Sequence, residues 1–455
     1  MGRLFDLVVI GGGSAGYAAA RAAAAAGASV AVVDSGPELG GLCILRGCMP
    51  SKTLLYVADI LHHARNSGKL GLRIPEAAAD MAAVQARKRE IISDFASYRA
   101  GQLASGRFTL IRKRVRFVSP SELEAEDGER IGGAHFVVAT GSRVNWPPVP
   151  GLEPGRVWTS DDVLDLDHLP RSVVVLGGGV VACELAQMLL RFGSAVTLVQ
   201  RSGRLLRECS ADAAAVVEKA FRDEGMSVLT GTRLIAVEDV GEYMLVRFEK
   251  DGAVHEVRAE RVVNAMGRSP ATDGLGLAAA GVELDGQGRI KVDRFQQTTN
   301  ERILAAGDVC GPVEIVHVAI MQGELAASVA LGQKVHPIDY DKVTRVVFTD
   351  PQVASAGLGK EELEEREACY TEASYPFDDH GKSILMEAKY GFVRCFADGD
   401  GRLIGAECVG RDAGELIHPM SVALALNADC RSLLSAHWYH PTLSEIWTYP
   451  LEDLA

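Results

Sequence analysis

Two cysteines, Cys43 and Cys48, lie in the stretch GLCILRGCMPSK with four residues between them. Thiols at this spacing could form a structural disulfide, contribute to a metal site or act as a redox-active pair. A zinc site would need two further ligands, and no CxxC or HxxxH motif occurs elsewhere in the chain. No metal site is therefore predicted, while the spacing alone does not choose between a structural clip and a redox pair.

The elements around this pair contain a repeat, because residues 7–34 and 173–200 follow the same pattern. LVVIGGGSAGYAAARAAAAAGASVAVVD and VVVLGGGVVACELAQMLLRFGSAVTLVQ each predict a strand, a glycine turn, a helix and a second strand, as in a dinucleotide-binding βαβ unit. Such glycines let the backbone approach a pyrophosphate at a helix N-terminus, although glycine turns can also serve packing alone. The candidate glycines are Gly11, Gly13 and Gly16 in the first copy and Gly177 and Gly179 in the second.

The two copies differ at the end of the second strand. Asp34 in the first copy can accept hydrogen bonds from both hydroxyls of an adenosine ribose. The second copy has Gln200 there, followed by Arg201, Arg204 and Arg207. Without an acid at this position a ribose 2′-phosphate is not repelled, and arginines can bind it. The alternative is that these arginines belong to a basic loop that is exposed to solvent and binds no phosphate.

Length and composition limit the possible classes of protein. The 455 residues are enough for about two to four domains. The net charge of −13 argues against a nucleic-acid partner. Nine scattered cysteines, an odd number, argue against a secreted disulfide framework and favour a reducing, cytoplasmic location. No apolar run reaches the roughly 18 residues of a membrane span, so no membrane association is predicted.

With a CxxxxC pair directly after the first βαβ unit, the chain resembles the flavin-dependent pyridine nucleotide–disulfide oxidoreductases. This family includes dihydrolipoamide dehydrogenase, glutathione reductase and mercuric reductase, and the active-site motifs are most similar to those of dihydrolipoamide dehydrogenases. The resemblance runs nearly end to end. Its motifs outside the repeat are GGLCILRGCMPSK (40–52), ATGS (139–142), AMGRSP (265–270), TTNERILAAGDV (298–309), FTDPQVASAGL (348–358) and HPTLSE (440–445).

The resemblance implies an α/β fold with two Rossmann-like domains, one for FAD and one for NAD(P), and a C-terminal α/β dimerisation domain. The expected boundaries are 1–146 with 271–337 for FAD, 147–270 for NAD(P) and 340–455 for dimerisation. Two long helices are expected within 53–105. The last domain is expected to contain strands near 345–349, 391–397 and 402–410, and helices near 413–427 and 443–448.

The resemblance also implies two cofactors, FAD on the first unit and a nicotinamide nucleotide on the second. Because Arg201 and Arg207 match the arginines that bind a 2′-phosphate in the family, NADP(H) is favoured over NAD(H). The expected FAD-binding residues are Gly11, Gly13, Gly16, Asp34, Lys52, Thr140, Gly141 and Asp308. The expected NAD(P)-binding residues are Gly177, Gly179, Gln200, Arg201, Arg207 and Gly267.

In the family, electrons pass from the nucleotide through the flavin to the cysteine pair. By resemblance, Cys48 is the flavin-proximal sulfur that makes the thiolate charge-transfer contact, and Cys43 is the interchange thiol that attacks a disulfide. Lowered thiolate pKa values are expected, helped by a helix that begins near Ser51, because only the thiolate is nucleophilic. Lys52 and Glu184 match an ion pair beside the flavin, with an ordinary buried salt bridge as the alternative.

The resemblance assigns the acid–base step to His440, oriented by Glu445, in YHPTLSEIW. His440 would protonate the leaving thiolate. In the family this dyad comes from the other subunit, so an obligate homodimer is expected.

The substrate expected from the motifs is a lipoyl-like or other small disulfide or dithiol, or a lipoyl protein. PSK after the second cysteine and HPTLSE are typical of lipoamide enzymes, whereas FTDPQVA and QRSGRLLRE are similar to mercuric reductases. Arg46, Trp438 and Tyr439 depart from the family pattern near the substrate entrance. Alternatives are a mercuric, metal or quinone reductase that uses the flavin, or a partner-binding redox subunit with low free turnover.

Overall fold

The computed structural model describes residues 3–455. Short apolar runs of the sequence form its central strands. These residues form two compact units. The first contains the chain up to Thr53, Ala83–Asn145 and Arg268–Ile338, and the second contains Leu54–Ala82, Trp146–Gly267 and Asp339–Ala455. The predicted α/β class is confirmed. The boundary between a nucleotide domain and a dimerisation domain falls inside the second unit and stays a prediction.

The strands within residues 3–455 are, in chain order, β1 (Arg3–Ile10), β2 (Val30–Val33), β3 (Thr109–Ile111), β4 (Val115–Ser119), β5 (Glu122–Ala125), β6 (Arg130–Val138), β7 (Ser142–Val144), β8 (Ser172–Leu176), β9 (Ala195–Val199), β10 (Ser227–Leu229), β11 (Arg233–Asp239), β12 (Met244–Lys250), β13 (Ala253–Ala259), β14 (Arg261–Asn264), β15 (Arg268–Pro270), β16 (Ile303–Ala305), β17 (Thr344–Val347), β18 (Gln352–Gly357), β19 (Thr371–Pro376), β20 (Phe392–Ala397) and β21 (Leu403–Gly410).

The α-helices are α1 (Ser14–Ala25), α2 (Gly41–Arg46), α3 (Cys48–Asn66), α4 (Met81–Leu103), α5 (Ser160–Leu164), α6 (Val180–Phe192), α7 (Ala211–Asp223), α8 (Val316–Ala330), α9 (Lys360–Glu365), α10 (Gly381–Leu385), α11 (Ala413–Leu416), α12 (His418–Ala425), α13 (Cys430–Leu434) and α14 (Thr448–Leu454). Single 3₁₀ turns span Ser67–Leu70, Leu277–Ala280, Tyr340–Lys342, Phe377–Asp379 and Ser444–Trp447. No helix in this described part of the chain is both long and apolar enough to cross a membrane.

The first unit is built on a seven-stranded sheet of order β3-β2-β1-β6-β5-β4, with β16 also beside β6. β1 pairs in parallel with both β2 and β6, and its central residues are fully buried. Fully buried alanines on α1 and α8 let the two helices pack closely over one face. Because each contact is made by a small side chain, the backbones of the two helices lie close together. This packing holds α1 in place beside the end of β1.

The second unit contains a parallel sheet of order β10-β9-β8-β14, an antiparallel sheet of order β11-β12-β13 and a five-stranded sheet of order β17-β18-β21-β20-β19. The predicted strands near 345–349, 391–397 and 402–410 are found as β17, β20 and β21. β18 and β19 were not predicted, because both are rich in alanine, serine and glycine or proline, which have weak β-propensity. Pro376 ends β19 at the sheet edge, where a missing N–H is tolerated.

The helix predictions are confirmed in part. α3 and α4 are the two long helices expected within 53–105, although α3 begins at Cys48 rather than near Ser51. The single helix expected over 413–427 is wrong, because the chain forms α11 and α12 with a break between them. Pro419 lies in the first turn of α12, where the missing backbone N–H costs nothing but prevents continuation from α11.

One close backbone approach occurs in both βαβ repeats. A methyl group on Gly11 would lie 2.3 Å from the carbonyl oxygen of Ala139, and one on Gly177 would lie 2.3 Å from that of Ala265. The two glycines also have φ angles of 108° and 122°. Only glycine combines this conformation with this proximity.

We expect Gly11→Ala to reduce the free energy of unfolding by more than about 3 kcal/mol, because a backbone carbonyl cannot move aside as a side chain can. Gly128→Ala is the matched control, since Gly128 has a φ of 86° but no heavy atom within 4 Å of its added methyl group. The control should cost only about 1 kcal/mol. Urea unfolding measures both. Equal losses would show that backbone strain alone, and not the approach to Ala139, makes glycine necessary.

Candidate active site

The two cysteines lie on either side of a helix boundary. Cys43 is in the middle of the short helix α2, Gly47 separates the two helices, and Cys48 is the first residue of α3. Both thiols are partly exposed, and no disulfide joins them in this structure. The earlier helix start brings the N-terminus of α3 to Cys48 itself, where the helix dipole favours a thiolate.

The side chains of Cys43 and Cys48 are in hydrogen-bond contact. This hydrogen bond, followed by burial and by repulsion from Cys48, raises the pKa of the Cys43 thiol above its ordinary value, while Arg99 and Lys52 oppose the shift. The expectation of a lowered thiolate pKa is therefore wrong for Cys43 in the reduced pair. The physical reason is that the neighbouring sulfur holds the proton on Cys43 more strongly than two cations repel it.

The glycine turn of the first unit fits the pyrophosphate of a dinucleotide. Gly13 precedes the first residue of α1, and no described side chain caps this N-terminus. A methyl group on Gly13 would meet only the Cα of Gly41, at 3.8 Å, so open space remains in front of the helix. Gly16 packs on the carbonyl of Gly11. The uncapped N–H groups are the donors that a pyrophosphate needs.

Four other residues expected to bind FAD are held by hydrogen bonds within the same unit. Asp34 follows β2 and accepts 2.8 Å hydrogen bonds from the N–H groups of Gly12 and Gly36. Thr140 donates its hydroxyl to the Ala271 carbonyl at 2.8 Å. Gly141 accepts from the Ala271 N–H at 2.9 Å. Asp308 accepts from the Ser142 hydroxyl at 2.7 Å. These contacts fix the positions of the side chains but leave carboxylate lone pairs for a ligand.

The second βαβ unit has a similar turn. Gly177 makes the close approach described above, and Gly179 precedes α6, whose N-terminus also lacks a side-chain cap within residues 3–455. Gly267 lies between β14 and β15. A nucleotide pyrophosphate therefore meets the same chemistry here as in the first unit.

The loop after β9 presents the predicted arginines. Gln200 donates to the Ser202 hydroxyl at 2.7 Å, and its oxygen accepts from the Arg201 N–H at 2.9 Å. The guanidinium of Arg204 is turned to the carbonyls of its own loop. The side chains of Arg201 and Arg207 are exposed and form no hydrogen bond or ion pair within the described chain. Two cations are thus available to a phosphate at the place that the sequence indicated.

Lys52 and Glu184 lie in different units, Lys52 on α3 and Glu184 on α6. Glu184 is buried, and one oxygen accepts a 2.9 Å hydrogen bond from the backbone N–H of Phe348. The ion pair expected between them stays a prediction.

His440 and Glu445 are in direct contact. Nδ1 of His440 lies 2.9 and 3.0 Å from the two oxygens of Glu445, and the histidine is 79% exposed while the carboxylate is 13% exposed. A carboxylate at Nδ1 fixes the tautomer and leaves Nε2 available for a substrate. Among the departures from the family pattern, Arg46 and Tyr439 are exposed, whereas Trp438 packs on the core of the five-stranded sheet.

Sequence reasoning missed two charged or titratable neighbours of this chemistry. Arg99, on α4, is stacked 4.0 Å from the ring centre of Tyr17 and acts on Cys43 electrostatically. His380 is fully buried against Glu445. Neither belongs to a short motif, so no local signal in the sequence could have identified them. Within residues 3–455 no cluster of three or more histidine, cysteine or acidic side chains could hold a metal ion.

Comparison with protein families matches residues 5–323 to the pyridine nucleotide-disulphide oxidoreductases and residues 343–450 to the dimerisation domain of the same family. The second match supports a homodimer. The chain is 34% identical over 449 residues to a dihydrolipoyl dehydrogenase of Thermus scotoductus, covering 97% of this chain and 96% of that protein.

A mercuric reductase of Lysinibacillus sphaericus is 32% identical over 443 residues, which cover 97% of this chain and 81% of the relative. The crystal structure of LpdA from Mycobacterium tuberculosis superposes with a TM-score of 0.89 at 29% identity, over 99% of both chains. The resemblance found in the sequence is confirmed. The chain therefore belongs to the pyridine nucleotide-disulphide oxidoreductase family and is an FAD-dependent disulfide oxidoreductase that uses a pyridine nucleotide.

Proposed function

We propose that the enzyme exchanges electrons between NADP(H) and a small disulfide or dithiol of the lipoyl type, with Cys43 and Cys48 as the redox pair. The observation that carries this proposal is the hydrogen-bonded contact of the two thiols at the start of α3, in the unit whose glycine turn fits a dinucleotide. A structural disulfide does not require partly exposed sulfur atoms, whereas disulfide exchange requires that a substrate can reach one of them.

The exchange itself is a pair of sulfur displacements. Deprotonated Cys43 attacks the substrate disulfide, a mixed disulfide forms, and the first substrate thiolate leaves. Cys48 then attacks the Cys43 sulfur and releases the second substrate thiolate, so the substrate gains two electrons and the pair becomes a disulfide. Because the proton is held on Cys43 in the reduced pair, a base must remove it, and the released thiolates must be protonated.

His440 is the residue that we assign to this proton transfer, and Glu445 orients its ring. The dyad that serves one cysteine pair comes from the other subunit of an obligate homodimer, which follows the family pattern. FAD, when bound, supplies the two-electron carrier between nucleotide and thiols. Residues 1–146 with 271–337 would bind it through the glycines, Asp34, Lys52, Thr140, Gly141 and Asp308.

Residues 147–270 would bind the nucleotide, and 340–455 would form the dimer contact. The preference for NADP(H) is supported by the exposed guanidinium groups of Arg201 and Arg207 and by the absence of an acid at Gln200. Gly177, Gly179 and Gly267 would line the nucleotide. A cytoplasmic location stays a prediction from the cysteine pattern.

A second candidate is metal-ion reduction, which the similarity to a mercuric reductase favours. In that case a soft metal ion would bind the thiolates and no substrate disulfide would be needed. The two candidates differ in their dependence on His440, because reduction of a bound metal ion returns the thiolates to the enzyme's own cysteines and produces no substrate thiolate that must be protonated.

We expect Cys48→Ser to abolish both oxidised lipoamide reduction and the long-wavelength absorbance band formed on two-electron reduction of the FAD-loaded enzyme. Cys43→Ser should lower disulfide reduction by at least about 10³-fold but keep the band, because Cys48 remains. Cys369→Ser, which alters an exposed cysteine, is the control and should leave both unchanged. Undiminished lipoamide reduction by Cys43→Ser would contradict the disulfide mechanism.

We expect the double variant Arg201→Ala/Arg207→Ala to lower kcat/KM for NADPH by about 100-fold, since each charge-assisted hydrogen bond contributes about 1.5–3 kcal/mol. The value for NADH should stay within about twofold, because NADH lacks the phosphate. Arg171→Ala, an exposed arginine in the same unit, is the control. An equal loss with both nucleotides would show that the arginines do not read the 2′-phosphate.

A further inference from the structure

Behind the exposed dyad lies a second histidine. His380 is fully buried at the start of α10, and its Nε2 lies 3.4 Å from Oε1 of Glu445. Nδ1 of the same ring is 2.8 Å from the hydroxyl oxygen of Ser383, which is also fully buried. The four side chains therefore form a continuous row from Ser383 through His380 and Glu445 to His440.

The tautomer of His380 follows from its two neighbours. Burial lowers the pKa of His380 below its ordinary value, so the ring is neutral and carries one proton. A hydrogen on Nε2 faces a carboxylate, whereas a bare nitrogen there would face it with a lone pair. The Ser383 hydroxyl can donate to Nδ1 and so favours the tautomer that places the proton toward Glu445.

Aromatic packing keeps the ring in this position. Tyr449 lies edge-on to His380, with 6.3 Å between ring centres and 79° between planes. Tyr375 stacks on Tyr449 at 3.8 Å, and its hydroxyl donates to Asp379 rather than to the row. The ionisable groups that act on His380 are therefore Glu445 and, beyond it, His440.

We propose that His380 is a positioning residue for disulfide exchange: its buried Nε2–H lies 3.4 Å from one oxygen of Glu445 and, without forming a hydrogen bond, attracts that carboxylate electrostatically and keeps it turned toward His440. This inference rests on the function proposed for the dyad. Both oxygens of Glu445 are near Nδ1 of His440, so a carboxylate without a second support could rotate about its own axis and change the direction of the imidazole. A fixed carboxylate keeps Nε2 of His440 directed at the departing sulfur.

The test compares His380→Leu with His380→Gln in the FAD-loaded enzyme. Glutamine can place an N–H where Nε2 stood, and leucine cannot. We expect His380→Leu to lower kcat/KM for oxidised lipoamide about 10-fold, because a carboxylate that turns away no longer directs Nε2 of His440 at the departing sulfur. His380→Gln should retain at least about half of the wild-type value.

Ferricyanide reduction by NADPH provides the internal control, because it needs no disulfide exchange and should be unchanged in both variants. Equal losses of lipoamide reduction in the leucine and glutamine variants would mean that His380 only fills space, and would overturn the inference. If His380→Leu does not fold, Ser383→Ala replaces it, with an expected loss of about threefold in lipoamide reduction and none in ferricyanide reduction; an undiminished rate with lipoamide would count against the inference.

His440→Gln separates this inference from the proposed function. A loss of at least about 100-fold in that variant, with wild-type behaviour of His380→Leu, would overturn the role of His380 and leave the dyad in place. Undiminished lipoamide reduction by His440→Gln would instead overturn the proposed function of the dyad itself.

Discussion

Each dinucleotide-binding unit depends on one close backbone contact. The first glycine of the turn, Gly11 or Gly177, lies against the carbonyl group of the residue that follows the neighbouring strand, Ala139 or Ala265. The Gly11 N–H also donates to Val33 at 2.8 Å, and the Gly177 N–H donates to Val199 at 2.9 Å. These bonds fix where each helix begins. The uncapped N–H groups of α1 and α6 therefore point at the same place relative to their strands, and side chains contribute only the details of ligand choice.

A second constraint acts on the distal part of α3, whose residues from Leu54 onward belong to the second unit. Farther along α3, Asp59 forms a 2.6 Å ion pair with Arg191, whose side chain is only 2% exposed. Arg191 also pairs with Glu224 and Asp350, at 2.6 and 2.9 Å. A buried cation with three carboxylates is costly to break, because removal of any one group leaves uncompensated charge. The distal part of this helix is thus firmly held within its unit.

Much of the fold was predictable because local sequence patterns determine it. The glycine repeat, the apolar strands β1, β2, β8 and β9, and the HPTLSE motif are each continuous in the sequence. The edge strand β19, the helix break before Pro419 and the direction of the Cys43 pKa were not predicted. The first depends on weak local β-propensity, the second on Pro419 itself, and the third on the contact that α2 and α3 create between Cys43 and Cys48. The roles of Arg99 and His380 depend on neighbours that are distant in the chain. Local propensity cannot identify such contacts, since they exist only after the sheets and helices have packed.

The likeness of the two βαβ repeats has a consequence for ligand choice. Their backbones cross in the same way, yet the residue at the end of the second strand is Asp34 in one and Gln200 in the other. Folding requires the glycine at the crossing, whereas the residue at the strand end takes no part in the crossing. A module of this kind can therefore accept a different ligand through one substitution at the strand end while its fold is retained.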